Sequence, residues 1–417
     1  MLDLFRKTGF PRINSGASNK RKTKTSIAII ANMAEMMGYL YFALQTLTED
    51  VLANTKRVNI PVEIIEELVA LSKKSRRPIH VDMIFGLPGE TLKSFLETID
   101  KVLSLGIAVP GIYILKMLAG TAIAEQDRKR YGYKTKFRPL NGRYGEYEFI
   151  PGHLTRVIET EEIAWQNNSF SANDYAAIRN FGFISMLLVG LGAFADTIFY
   201  LLSRGVKFTK VFKIIQSNYF RYPRLNALLN EYRLYSEKEL FDNQDELISR
   251  ITNNNSLWDD LLNGRGIFFK LDHGFSGYCL FEDPQILDDI EEIIRQEGKS
   301  MLSDRDYVGL EAVLSRDRLH RVIPSKAASR LTRADIALEI VAKEEFDYER
   351  WRDANFSGYL EDYRLPVSVN KIYVLENCDL FGAVIDQYSE LTGFVFYEKI
   401  IIWGPKNLRR TCRSEKI

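Results

Sequence analysis

Over the first 150 residues the hydrophobic and polar positions alternate between two rhythms. Short apolar runs at 39–44, 79–85 and 112–117 read as strands. The stretches between them, 26–37, 61–74 and 92–105, read as helices. Ile64, Leu68 and Leu71 recur at offsets of four and three, the stripe of a helix with one buried face. Pro61 suits a first helical turn, where its missing N–H is not needed. Strand and helix in alternation predict βα units and a parallel sheet. The strands are continuous apolar runs, as expected for strands covered on both faces.

From residue 151 the pattern changes. Residues 155–262 read as mostly helical and rich in aromatics. A strand pair is expected near 265–282, from Ile267-Phe268-Phe269-Lys270-Leu271 and Tyr278-Cys279-Leu280-Phe281 around His273-Gly274. Asp283-Pro284 then opens an amphipathic helix to about Gly298. The segment 303–417 reads as a weaker α+β region, with strands expected at 371–375 and 394–403. The expected division is therefore 1–150, 151–302 and 303–417.

Composition narrows the class without naming it. Of 417 residues, 56 are Lys or Arg and 55 are Asp or Glu, so the net charge is +1 and nothing marks a generic nucleic-acid binder. The first 24 residues carry seven Lys or Arg and one Asp, which reads as a solvated face. The uncharged run 180–195 is sixteen residues long, short of the roughly 20 that span a bilayer, and reads as a buried core helix. No secretory signal pattern is visible, and three scattered cysteines make no disulfide framework. A reducing cytoplasm is the expected compartment. Cys279, Cys378 and Cys412 also lack metal-ligand spacing, as do the four dispersed histidines. Glu159, Glu161 and Glu162 read as the solvated start of a helix rather than an acid–base pair.

Candidate chemistry concentrates in one segment. The apolar run Val81-Asp82-Met83-Ile84-Phe85 leads straight into Gly86-Leu87-Pro88-Gly89-Glu90-Thr91 and a helix. Its two glycines let a backbone approach a ligand without Cβ interference, and the turn falls at a strand's C-terminal end, where βα sites form. Glu90 reads as a charge at the helix start. Upstream, another strand ends in Gln45-Thr46-Leu47. Arg57 follows Gln45 by twelve residues, and Asp82 follows Arg57 by twenty-five.

Together these residues resemble the second half of the barrel of a radical S-adenosylmethionine (radical SAM) enzyme, of the type that also carries a cobalamin-binding domain. In that family a strand ending in Gln-Ser/Thr-Leu precedes an Arg-bearing helix and a D-x-I-x-G-L-P-G-E turn. Leu118-Ala119-Gly120-Thr121 is similar to the family's L-P-G-T, with Ala for Pro. Phe10 to Gly16 resembles the strand entering mid-barrel. Tyr144-Gly145-Glu146-Tyr147 and Val157 to Glu162 resemble the segment after the barrel. The likeness covers residues 5–180.

The resemblance implies a partial (β/α) TIM-like barrel, and with the patterns read after residue 151 the expected fold is α/β: that partial barrel, a mostly helical region and a small α+β C-terminal region. It implies that Gln45 and Asp82 bond the ribose hydroxyls of SAM, that Arg57 meets the methionine carboxylate, and that Ile84 and Gly86 line the adenine. It also marks a departure. The family's 4Fe–4S cluster sits on a C-x3-C-x2-C loop, and this sequence holds no such spacing. The chain is therefore expected to correspond to the C-terminal part of such a protein. The cluster loop, the first barrel strands and any cobalamin domain would lie elsewhere, including on a partner chain that completes the barrel. Radical or methyl-transfer chemistry on an unknown small molecule is one implied function. A non-catalytic, degenerate scaffold is the other.

Overall fold

The computed structural model describes residues 40–75, 79–107, 109–263, 268–321, 323, 331–375, 378–403 and 410–413. They fall into two units. One takes the described residues up to 115 together with 119–133 and 166–178, and the other takes 116–118, 134–165 and 179 onward.

The first unit is a run of βα units. Strand β1 (Leu40–Gln45) is followed by helices α1 (Glu49–Asn54) and α2 (Val62–Ser75), then β2 (Ile79–Phe85), α3 (Leu92–Ser104) and β3 (Val109–Ile114). The three strands are parallel in the order β1-β2-β3. The local reasons are plain along α3. Thr91 and Ser94 form a reciprocal capping box at its start, and Phe95, Ile99, Val102 and Leu103 bury one stripe. Along β2, Val81, Met83 and Phe85 are fully buried and alternate with half-buried Asp82 and Ile84. Each large apolar side chain buried this way contributes roughly 1.5–3 kcal/mol. No closed barrel forms among the described residues; the sheet has three strands. The strand expected at 10–16 and the helix at 26–37 lie outside the described residues.

The third strand sits earlier than the pattern suggests, at Val109–Ile114 rather than 112–117. Residues 116 and 117 are extended but leave this sheet. Lys116 bridges antiparallel to Ile163, and Met117 N–H donates to Glu162 O at 2.9 Å. An apolar run alone does not say which partner its residues will find.

The second unit begins with a long hairpin, β4 (Lys134–Ile150) and β5 (His153–Gln166), closed by Pro151-Gly152. This corrects the helical reading over 155–166, with its helix start at Glu159–Glu162, while 172–262 is mostly helical as read. Glu161 faces Arg138 at 2.6 Å and Lys116 across the strands. Burial alone would raise its carboxyl, but the two cations outweigh that and hold it below the usual range. Cross-strand pairing, invisible locally, turns an apparently helical charge cluster into a strand. After the hairpin come α4 (Ala172–Ser185), α5 (Ala195–Ser203), α6 (Phe208–Asn218) and α7 (Pro223–Lys238), then α8 (Gln244–Thr252) and α9 (Asn255–Leu262), whose Leu247, Ile251, Trp258 and Leu261 pack on the hairpin through Ile158.

The later helices of this unit are α10 (Leu271–Phe281), α11 (Gln285–Met301), α12 (Asp304–His320), α13 (Arg333–Ala337), α14 (Tyr348–Asp353), α15 (Cys378–Gln387) and α16 (Gly393–Trp403), and its second sheet is antiparallel, formed by β6 (Ile340–Phe346), β7 (Arg364–Leu375) and β8 (Arg410–Arg413). Two expectations are corrected here. Residues 271–281 form helix α10, not the second half of a strand pair, and 394–403 lie in helix α16. The two helices pack so closely that a Cβ on Gly277 would stand 2.6 Å from Tyr397 Cβ. Both segments are apolar nearly all round, so periodicity does not distinguish a buried strand from a buried helix. The uncharged run 180–195 is interior: Phe181, Phe183, Ile184, Leu187 and Leu188 are fully buried. Among the described residues no single helix is long and apolar enough to cross a membrane.

Candidate functional site

The parallel sheet places its polar candidates at the C-terminal ends of β1 and β2. Gln45 ends β1 with φ +65°, in the left-handed region that non-glycine residues rarely occupy. Thr46 N–H donates to Leu44 O at 2.9 Å, closing a three-residue turn around Gln45, and the β1–β2 register shifts at the same point. A γ-turn of this hand is rare and strained. The Gln45 Oε1 is buried and accepts no hydrogen bond among the described residues. Asp82 stands beside Ala43 on β1 and Gly111 on β3, and Ile84 beside Tyr113. Asp82, Ile84 and Tyr113 thus share the sheet face opposite Val81, Met83 and Phe85, and Tyr113 is half exposed. Gly86 follows directly with φ +96°. The structure therefore groups Gln45, Asp82, Ile84 and Gly86. It leaves Arg57 exposed beyond α1, with its N–H on Leu52 O at 2.9 Å.

The groups that hold this arrangement carry little signal in the sequence. Glu90 does sit at the helix start, just before the N-cap Thr91, and is fully buried there. Its Oε1 accepts from Thr48 Oγ1 at 3.2 Å and Ser94 Oγ at 3.1 Å. Burial raises its carboxyl, and hydroxyls of Thr46, Ser94 and Thr48 within reach offset part of that rise. Asn54 Nδ2 donates to Pro88 O at 3.1 Å, and Asn59 Nδ2 to Thr46 O at 2.7 Å. Gly86 is supported from behind. Tyr133 Oη donates to its carbonyl at 2.7 Å, and the Phe170 ring lies against its Cα face and stacks at a tilt on Phe85. Glu90 is legible as the polar residue just before an N-cap Thr; Tyr133 and Phe170 are brought in by tertiary folding alone.

Chemically, the strand ends offer a carboxylate, an amide oxygen and open backbone, which suits hydroxyl donors and a flat apolar ring. They offer nothing for a metal. Among the described residues no three His, Cys, Asp or Glu side chains are disposed to hold an ion. Cys279 is buried within α10, where desolvation drives its thiol far up, and Cys378 donates to Leu375 O at 2.8 Å. Cys412 lies on β8. His320 is buried with Nδ1 at 2.5 Å from Arg410 O. A 4Fe–4S cluster does not fit these residues.

No family model matches the sequence, and no curated protein does either. Among solved structures, the radical S-adenosylmethionine methyltransferase TsrM from Kitasatospora setae, determined with tryptophan and a SAM analogue bound, is similar over 30% of this chain at 16% identity and a TM-score of 0.25. The match spans 24% of that enzyme's length. An overlap of that extent defines neither a shared fold nor a shared function.

Proposed function

We propose that the parallel-sheet unit binds S-adenosylmethionine at the C-terminal ends of β1 and β2. The observation that carries the reading is Gln45. A polar side chain is held in a strained backbone conformation, with a buried amide oxygen that accepts nothing among the described residues, on the strand next to Asp82. Strain of this kind persists mainly where it serves a site. In the reading, Gln45 and Asp82 accept the two ribose hydroxyls. A carboxylate acceptor makes the stronger of the two contacts. Ile84 packs on the adenine, and Gly86 lets the ring approach the backbone. Arg57 turns in from the surface to the methionine carboxylate, for which a guanidinium is the natural fork.

When bound, S-adenosylmethionine supplies an activated methyl or adenosyl carbon. The chain's residues would orient the nucleoside and shield it from water. Radical or methyl-transfer chemistry belongs to a longer assembly in which a cluster, and cobalamin if used, come from outside the described residues. The absence of a fitting ligand set among the described residues supports a second reading, a non-catalytic scaffold that keeps the sheet and not the chemistry.

Calorimetric titration of S-adenosylmethionine into the full chain tests the proposal. Binding is expected, weakened roughly 10- to 100-fold by Asp82→Asn, in line with about 1.5–3 kcal/mol for a hydrogen bond to a charged group. Gln45→Ala should weaken it several-fold. No heat and no competition by adenosine, or affinity indifferent to both substitutions, would overturn the site and favour the scaffold.

A further inference from the structure

Gln45 presents a physical question that is separate from any ligand. A non-glycine residue does not stay in a left-handed γ-turn unless its surroundings over-determine it. Its own side chain does not do so, since Oε1 accepts nothing among the described residues. The restraint falls on the next residue. Thr46 is fully buried and gripped at several atoms. Its carbonyl accepts from Asn59 Nδ2 at 2.7 Å. Its Oγ1 accepts from Thr48 N–H at 3.1 Å. Thr48 Oγ1 is bonded in turn to Glu90 at 3.2 Å, and the Thr46 hydroxyl lies within reach of the same carboxyl. Glu90 is itself fixed by Ser94 Oγ at 3.1 Å and sealed from solvent.

We infer that Glu90 and Asn59 are positioning residues that act through Thr46 and Thr48 to hold Gln45 in its strained turn. Glu90 belongs to the turn after β2, and Asn59 to the segment between α1 and α2. Both fix where the Gln45 amide stands, and the clamp makes the end of β1 depend on the turn after β2. The inference rests on the strand-end reading only for what Gln45 does, not for how it is held.

The test is peptide-resolved hydrogen exchange over residues 44–48 in the full chain. Asn59→Ala and Glu90→Ala are expected to speed exchange there at least tenfold, because the Thr46 N–H is the closing bond of the turn. Glu90→Gln keeps an acceptor in place and is expected to remain within about threefold of the parent, and Asn59→Ala with the glycine rescue decides the clamp if Glu90→Ala does not fold. The deciding variant is Gln45→Gly, since glycine takes a positive φ without strain. Combined with Asn59→Ala, it is expected to restore slow exchange to within about threefold of the Gln45→Gly parent. General loosening by Asn59→Ala would persist in the double variant. The inference is overturned if 44–48 exchanges at the parental rate in Asn59→Ala, or if glycine gives no rescue. Titration with S-adenosylmethionine separates the two claims. If the parent chain does not bind it, the strand-end reading fails while the exchange result still decides the clamp.

Discussion

Replacing Gly86 by alanine separates backbone strain from packing at the head of the candidate site. Gly86 has φ +96°, and an added Cβ would meet Phe170 ring carbons at 3.4 Å and Leu115 Cβ at 3.5 Å. Those distances are ordinary van der Waals contact, so the steric cost is a few tenths of a kcal/mol. The backbone cost is larger: a non-glycine residue in such a conformation costs about 1–3 kcal/mol. The alanine chain also loses less entropy on folding, which returns about 0.4–1 kcal/mol. A net loss of about 1–2 kcal/mol is expected. Gly120 is the control, because it has φ +80° with nothing within 4 Å of an added Cβ. All four tryptophans lie in the other unit, so fluorescence does not report on this sheet. The assay is hydrogen exchange of the β2 amides across a urea series. Gly86→Ala and Gly120→Ala should cost the same within about 0.5 kcal/mol, the scale on which independent effects are resolved. If Gly86→Ala costs more than about 1.5 kcal/mol beyond Gly120→Ala, the Phe170 wall and not the backbone sets the penalty, and the reasoning is wrong.

Three further outcomes can be stated with their checks. Tyr133→Phe removes the donor to the buried Gly86 carbonyl at 2.7 Å and should cost about 1–3 kcal/mol, read from the same β2 amides; an unchanged exchange rate would show that the carbonyl finds another partner. Glu90→Gln should change the pH dependence of stability. Burial holds the Glu90 carboxyl above the usual range, so its contribution is fully present below the ordinary carboxylate value of the unfolded chain and is lost as pH rises through its own higher value. Glutamine has no charge to bury, so the variant should gain on the parent across that window; a difference that stays constant from about pH 4 to 8 would refute the assignment. Gly277→Ala forces a Cβ to 2.6 Å from Tyr397 Cβ and 3.0 Å from its carbonyl oxygen. Overpacking should cost about 1–3 kcal/mol in the tryptophan-reported transition, and a loss under about 0.5 kcal/mol would mean that α10 and α16 separate freely.

Some of this molecule is written in local pattern. The strand from Ile79, the helices from Val62 and Leu92, and the turn at Gly86 follow from apolar periodicity, capping chemistry and glycine placement, all within a dozen residues. Local pattern places Gln45, Asp82, Ile84 and Gly86 on strands or at their ends, and only the family resemblance groups them as a candidate site. Other features depend on partners distant in sequence. Glu161 is a strand residue because Arg138 and Lys116 face it, whereas its neighbours alone suggest a helix start. Tyr278 to Phe281 are helical because Gly274 and Gly277 admit α16 at close range. Arg57, which the family resemblance sets beside the other candidates, is exposed past the end of α1.

The division has one physical cause. Secondary structure and turn chemistry respond to energies shared among residues a few positions apart, so the sequence by itself determined the βα rhythm, the glycine turn and the residue types at the strand ends. Burial and charge compensation respond to groups that only folding brings together. The tertiary structure alone decided that Glu90 is sealed among hydroxyls, that Tyr133 and Phe170 back the Gly86 turn, and that Gln45 is held in a strained conformation by atoms of Thr46, Thr48 and Asn59.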